Sequence, residues 1–279
     1  MYSSVSGTPR RRPSRGRPAP LLALLAVLAL LAVACGGDDD AGEGQNTPTT
    51  AAGPQLSGEL RVFAAASLTK PFTEAGKAFE GAHPGAKVTF SFGPSNTLAS
   101  QVNEGAPADV LATADEATMK TASGAGSVSA SGTFARNRLA ILVAKGNPKK
   151  VQSLADLGKP GVIFVTCALQ VPCGKFGLEA LQKAGVAAKP ISLEENVKAV
   201  VAKVTLGEAD AGIVYVTDVK AEADKAQGVD IPDNQNVIAT YPIGVVTKSA
   251  KADLARAWVD FVVSGEGQRI LTTAGFASP

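Results

Sequence analysis

The chain has 279 residues, with 27 Lys and Arg against 25 Asp and Glu, one His and three Cys. Five of the Arg (Arg10, Arg11, Arg12, Arg15 and Arg17) fall in residues 1–34, which hold no acid, so the remainder carries 22 basic against 25 acidic residues, a net of −3. That balance and an aromatic content of 5% exclude nucleic acid as a partner, since neither a phosphate-neutralising surface nor a base-stacking platform is offered. His83, the single His, leaves too few ligands for a metal cluster and no partner for a catalytic Cys.

The first element in chain order is an apolar run over residues 21–34, behind the Arg-rich flank and ahead of Cys35. A basic flank, a short apolar core and small residues before the cut make a secretory signal peptide over 1–34. The run is shorter than the roughly 20 residues a membrane-crossing helix needs. Ala32-Val33-Ala34-Cys35 resembles a lipobox, in which the Cys is acylated after cleavage; Ala32 stands where Leu is usual. An ordinary signal with a chance Cys is the alternative. The export route stays open, because Arg12-Pro13-Ser14 lacks the apolar residues of a twin-arginine motif. Residues 35–57, rich in Gly, Asp, Thr, Pro and Ala, have nothing to bury and read as a disordered tether behind a lipidated Cys35.

Beyond the tether, short apolar runs alternate with amphipathic segments. Strands are expected at 60–65, 87–92, 108–112, 138–144, 162–165, 211–215 and 241–247. Helices are expected at 67–80, 97–104, 115–123, 175–184, 196–206, 219–226, 250–263 and 266–273. This alternation predicts an α/β fold of mostly parallel sheet covered by helices on both faces. The helix N-termini that follow such strands carry unpaired N–H groups and partial positive charge, so an anion is the ligand they suit best.

Four segments at strand–helix junctions carry candidate chemistry. In Phe63-Ala64-Ala65-Ala66-Ser67-Leu68, three small residues allow close backbone approach and Ser67 offers a hydroxyl and an N–H. Ser91-Phe92-Gly93-Pro94-Ser95-Asn96-Thr97-Leu98 repeats the plan with Ser95. Either Ser is equally readable as a plain helix cap. Cys167 and Cys173, six residues apart, are expected to bond to each other in an oxidising compartment, stiffening the loop before Gly174. Glu194-Glu195-Asn196-Val197 opens a helix, and Ala209-Asp210-Ala211-Gly212-Ile213-Val214-Tyr215-Val216-Thr217-Asp218 ends a strand on Tyr215. Tyr215 is also readable as a half-buried core residue whose O–H finds a local acceptor.

The ordered set VFAAASLT, SNTL, GAPADV…AD, QVPCG…EAL, EENV and GIVYVTD resembles the periplasmic molybdate-binding proteins of ABC importers, from about residue 59 to the C-terminus. The resemblance implies a two-lobed periplasmic-binding-protein fold (type II), each lobe a mostly parallel sheet flanked by helices, with the ligand in the cleft. It implies lobes over 58–135 plus 243–279 and over 136–242, hinged near Arg136 and Pro242. It further implies oxyanion contacts from Ser67 and Ser95 (hydroxyl and N–H), Cys173 and Val197 (N–H) and Tyr215 (hydroxyl). Cys173 stands where the family has Ala, and Pro94 and Asn96 replace Ser. The implied protein is a monomeric, non-enzymatic, lipid-anchored receptor outside the cell. It takes no cofactor beyond its ligand, molybdate or tungstate, which it passes to a permease and its ATPase. A receptor for sulfate or another small oxyanion, a ligand-free surface lipoprotein and an extracellular enzyme are the competing readings. The last lacks a nucleophile–base pair.

Overall fold

The computed structural model describes residues 56–279; the signal peptide expected at 1–34, Cys35 and nearly all of the tether expected at 35–57 lie outside the described residues. In chain order the elements begin β1 (Ser57–Ala65), a 3-10 turn (Ala66–Leu68), α1 (Thr69–Ala82), β2 (Gly85–Gly93), α2 (Ser95–Asn103), β3 (Val110–Ala112), α3 (Glu116–Gly124) and a long β4 (Val128–Ala144). A second 3-10 turn (Leu154–Gly158) leads to β5 (Phe164–Cys167), α4 (Pro172–Lys183), β6 (Ser192–Glu194), α5 (Val197–Thr205), β7 (Ala211–Tyr215) and α6 (Val216–Ala221). The chain closes with β8 (Ala226–Asp230), β9 (Ile238–Val246), α7 (Ala252–Val263) and α8 (Gly265–Ala274).

The strands join in the order β2-β1-β3-β9-β4-β7-β5-β6, with β8 paired to β4 as well. Parallel pairs β1–β2 and β1–β3 make one half of the sheet, and parallel pairs β5–β6 and β5–β7 make the other. These are the buried, apolar strands that sequence patterning identifies, and their C-terminal ends lead into helix N-termini. What patterning misses is the antiparallel centre. β4 pairs with β9 through its first part, up to Arg138, and with β7 and β8 from Leu139 or Ala140 onward. The expected strand at 138–144 is therefore only the second part of β4. The first part holds small and polar residues around Gly132 and two register shifts, so it shows no alternation to read. β6 and β8 escape notice for a related reason: they are short and half exposed. The helix expected at 219–226 lies earlier, at Val216–Ala221, because the chain turns helical immediately after Tyr215 and residue 226 already belongs to β8.

α1 and α7 are clamped on the first half of the sheet by aromatic packing. Trp258 of α7, fully buried, meets Phe72 and Phe79 of α1 edge-on at centroid distances of 5.6 and 5.4 Å. Such pairs add about 0.5–1.5 kcal/mol each beyond the area they bury.

Between β4 and β5, the turn at Leu154–Gly158 is held by Asp156. Its Oδ1 lies 2.5 Å from Lys159 Nζ, and its Oδ2 accepts from the N–H groups of Gln152 (2.7 Å) and Ser153 (2.9 Å). Lys159 foremost, then the Gln152 N–H, lower the carboxyl pKa from 3.8 to about 2. A group favoured as carboxylate in the fold contributes stability above its unfolded pKa and loses that contribution as pH falls through the folded one. Denaturant titrations should show stability declining between about pH 5 and pH 2. Asp156→Asn should flatten that segment and cost about 1 kcal/mol at neutral pH.

Candidate functional site

The C-terminal ends of β1, β2 and β7, the segment after β3 and the starts of α4 and α5 converge on one small cavity of ≈ 20 Å³. On the same measure a single water needs roughly 10–15 Å³. Ser67, Ser95, Cys173, Val197 and Tyr215 all line it, joined by Asn196 and by the small or stiff residues Ala65, Ala66, Gly93, Pro94, Ala114, Val171 and Pro172. The five positions named from sequence, spread over 149 residues of chain (67 to 215), are thus brought to one place.

Each position offers a donor. Ser67 sits in the 3-10 turn after β1 and is buried, its Oγ 2.9 Å from the hydroxyl of Tyr241. Ser95 is the first residue of α2, and its Oγ accepts the Ala114 N–H at 3.1 Å. Neither hydroxyl caps its own helix, so the simple capping reading of both residues fails. Cys173 is the second residue of α4; the N–H groups of Gly174 and Lys175 turn back to Val171 O, while that of Cys173 has no acceptor within the helix. Val197 opens α5. Asn196 Oδ1 takes the N–H groups of Lys198 and Ala199 (2.9 and 3.1 Å), leaving the Val197 N–H without an acceptor in the helix. Tyr215 ends β7 fully buried, and its hydroxyl has no hydrogen-bond partner among the described residues. A buried phenol left unpaired costs about 1–3 kcal/mol, so a local core role does not account for it.

No Lys or Arg lines this cavity. Two buried carboxylates beside lining residues are each matched to a lysine: Asp115 Oδ2 with Lys175 Nζ at 2.8 Å, and Asp218 Oδ1 with Lys198 Nζ at 2.9 Å. Asp115 also caps α3 by accepting the Thr118 N–H, and Asp218 accepts the Tyr215 N–H. Burial raises the Asp218 pKa, and Lys198 works against that rise. A neighbouring cavity of ≈ 170 Å³ shares Ser67 and is rimmed by Lys70, Lys198 and Lys220 with Glu74 as its one acid, so the approach is positive while the inner walls are neutral donors.

Cys167 and Cys173 are bonded, with Cα atoms 5.7 Å apart. The bond closes the loop between β5 and α4, and Gly174 is what allows the helix to start so near it. A Cβ at Gly174 would lie 2.1 Å from Ala168 O and 2.5 Å from Cys167 O.

Three contributors escape the sequence reading. In sequence Tyr241 reads only as a strand residue, yet it holds Ser67. Asp115 reaches across to Lys175 from the other half of the sheet, and Lys198 neutralises Asp218. The one local signal was Asp218, three residues after Tyr215; the remaining partners are 20 to 174 residues apart and leave no local trace.

The model of the bacterial extracellular solute-binding proteins matches residues 60–277 of this sequence. The chain belongs to that family. It is 42% identical to the molybdate-binding protein ModA of Mycobacterium tuberculosis over 239 residues, which cover 85% of this chain and 92% of the relative. Among solved structures it is similar to the periplasmic molybdate-binding protein of Azotobacter vinelandii (TM-score 0.70, 21% identity, 79% of this chain and 99% of that one). It is also similar to the sulfate-binding protein SubI of Mycobacterium tuberculosis (TM-score 0.72, 21% identity, 79% and 86%). These similarities bear out the family resemblance and the two-lobed α/β fold read from the motifs. The chain is an extracytoplasmic solute-binding protein and not an enzyme. Among the described residues no helix is long and apolar enough to cross a membrane.

For a solute-binding protein of this kind the tyrosines matter as neutral donors. Burial, then Tyr241 and Asp218 nearby, raises the Tyr215 pKa well above 10.0; burial likewise raises that of Tyr241, opposed by Ser67. A phenol stays a donor below its folded pKa and is lost as pH rises through it. In a spectrophotometric titration of the folded protein, these two of its three tyrosines should remain un-ionised past pH 10 and ionise together only on alkaline unfolding. Normal titration of both would contradict the buried placement.

Proposed function

We propose that the chain is a monomeric extracytoplasmic lipoprotein that binds molybdate, or tungstate, in the cavity between Ser67, Ser95, Cys173, Val197 and Tyr215 and delivers it to an ABC importer. The observation that carries this reading is the donor-rich wall: hydroxyls and helix-start N–H groups, with no carboxylate and no counter-charge in the lining. Its one side-chain amide oxygen, Asn196 Oδ1, is already taken by the N–H groups of Lys198 and Ala199. Molybdate near neutral pH is a fully deprotonated tetrahedral dianion, which accepts hydrogen bonds and donates none. Several helix N-termini stabilise such an anion without a lysine or arginine. Hydrogen phosphate carries a proton that such a wall leaves unpaired, a loss of about 1–3 kcal/mol. The 42% identity to a protein named for molybdate binding supports the same choice.

Sulfate is the second reading, since it shares the hydrogen-bonding pattern of molybdate and differs in size. Isothermal titration with molybdate, tungstate, sulfate and phosphate ranks them directly. Molybdate and tungstate should bind at micromolar levels or tighter, ahead of the other two. Absence of binding by both would end the proposal. Ser95→Ala should weaken molybdate binding by about ten- to a hundredfold, the range for a hydrogen bond to a charged ligand. A Ser95→Ala protein with wild-type affinity would leave Ser95 out of the site.

In the same reading, residues 58–135 with 243–279 form one lobe and 136–242 the other. The crossings near Arg136 and Pro242 fall in the paired stretch of β4 and β9, where Ala135 faces Tyr241, Thr133 faces Pro242 and the register shifts between Thr133 and Ala135. Closure of the lobes on the anion would present a distinct shape to the permease. The radius of gyration from small-angle scattering should fall on saturation with molybdate; an unchanged curve counts against closure. Membrane attachment rests on acylation of Cys35, and the Cys167–Cys173 bond keeps the α4 loop in its binding shape.

A further inference from the structure

Two serine hydroxyls face the cavity, and a hydroxyl is ambivalent: it donates one hydrogen bond and accepts others. The structure removes that ambivalence at both. At Ser95 the Ala114 N–H, which has no choice but to donate, points at Oγ from 3.1 Å. At Ser67 the same place is taken by the Tyr241 hydroxyl at 2.9 Å. A phenol is the stronger acid of the two, so Tyr241 donates and Ser67 accepts. The Asn137 side chain also faces the Tyr241 hydroxyl, with its Oδ1 accepting the Arg138 N–H and its Nδ2 donating to Thr217 Oγ1. The ring itself is fixed, fully buried against Phe134, Tyr215 and Phe276 at centroid distances of 6.3, 6.1 and 5.2 Å.

We propose that Tyr241 is a specificity-determining positioning residue: by occupying the acceptor side of Ser67, it commits that hydroxyl to donating into the cavity, so the site rejects tetrahedral anions that carry a proton. This rests on the oxyanion-binding function proposed above and adds to it a residue that need not touch the ligand. Without the phenol proton, Ser67 is free to rotate and accept from hydrogen phosphate.

The test is isothermal titration of the exported protein with molybdate and with phosphate at neutral pH, for wild type, Tyr241→Phe, Ser67→Ala and the double variant. Tyr241→Phe keeps the ring and removes one oxygen. It should weaken molybdate about five- to tenfold while phosphate is unchanged or tighter, so that the molybdate-to-phosphate preference falls about tenfold or more. In the Ser67→Ala background the same change should have no further effect on that preference, which a merely structural role for the phenol would not produce. Asn137→Asp offers a second route, because a carboxylate there draws the Tyr241 proton away from Ser67 with the phenol still present. It should lower the preference in the same direction, and it carries the test should Tyr241→Phe fail to fold. An unchanged preference in Tyr241→Phe, an equal loss for both anions, or the same loss with Ser67 already Ala would overturn the proposal. Wild-type protein that binds no tetrahedral anion would instead remove the function on which it rests.

Discussion

An α-helix begins with N–H groups that nothing inside the helix can satisfy. In this protein the first turns of α2, α4 and α5 and the turn after β1 aim those groups, with two serine hydroxyls and a tyrosine, at a single cavity. The arrangement follows from the parallel strands on either side. β1, β2 and β3 end at one edge of their half of the sheet, β5, β6 and β7 at one edge of theirs, and each end releases the chain into a helix start. Every other feature of the site serves these donors. The small residues Ala65, Ala66 and Gly93 let backbone come close, Pro172 starts α4 without wasting an N–H, and Asn196 satisfies the donors of α5 that point elsewhere.

The charges nearby are arranged so that they do not compete with an anion. Asp115 and Asp218 would repel it, and each is neutralised by a lysine on a partner helix while holding a backbone N–H of its own segment. The Asp115–Lys175 pair also ties the β3–α3 junction to α4, so the two halves of the sheet are joined across the cavity by an ion pair as well as through β4 and β9. Cys173 marks a different economy. Its N–H has no acceptor within α4, while its side chain carries the bond to Cys167.

Sequence and tertiary structure divide the explanation along a physical line. The sequence by itself determined the buried strands, the helix starts that follow them and the Cys pair, because each is a local pattern: an apolar run of strand length, a polar residue at a helix start, two Cys six residues apart. The five positions that line the cavity came from the resemblance of the ordered motifs to a family. The expected signal peptide and lipidated Cys35 are readings of the same local kind, from the Arg-rich flank, the apolar run and Cys35, and lie outside the described residues. Only the tertiary structure decided that Ser67 answers to Tyr241, 174 residues away, that Asp115 meets Lys175, and that β4 runs through both halves of a mixed sheet. A hydroxyl or carboxylate looks the same in sequence whether free, capping or paired. Its partner is set by which strands lie side by side, and that depends on packing over the whole chain.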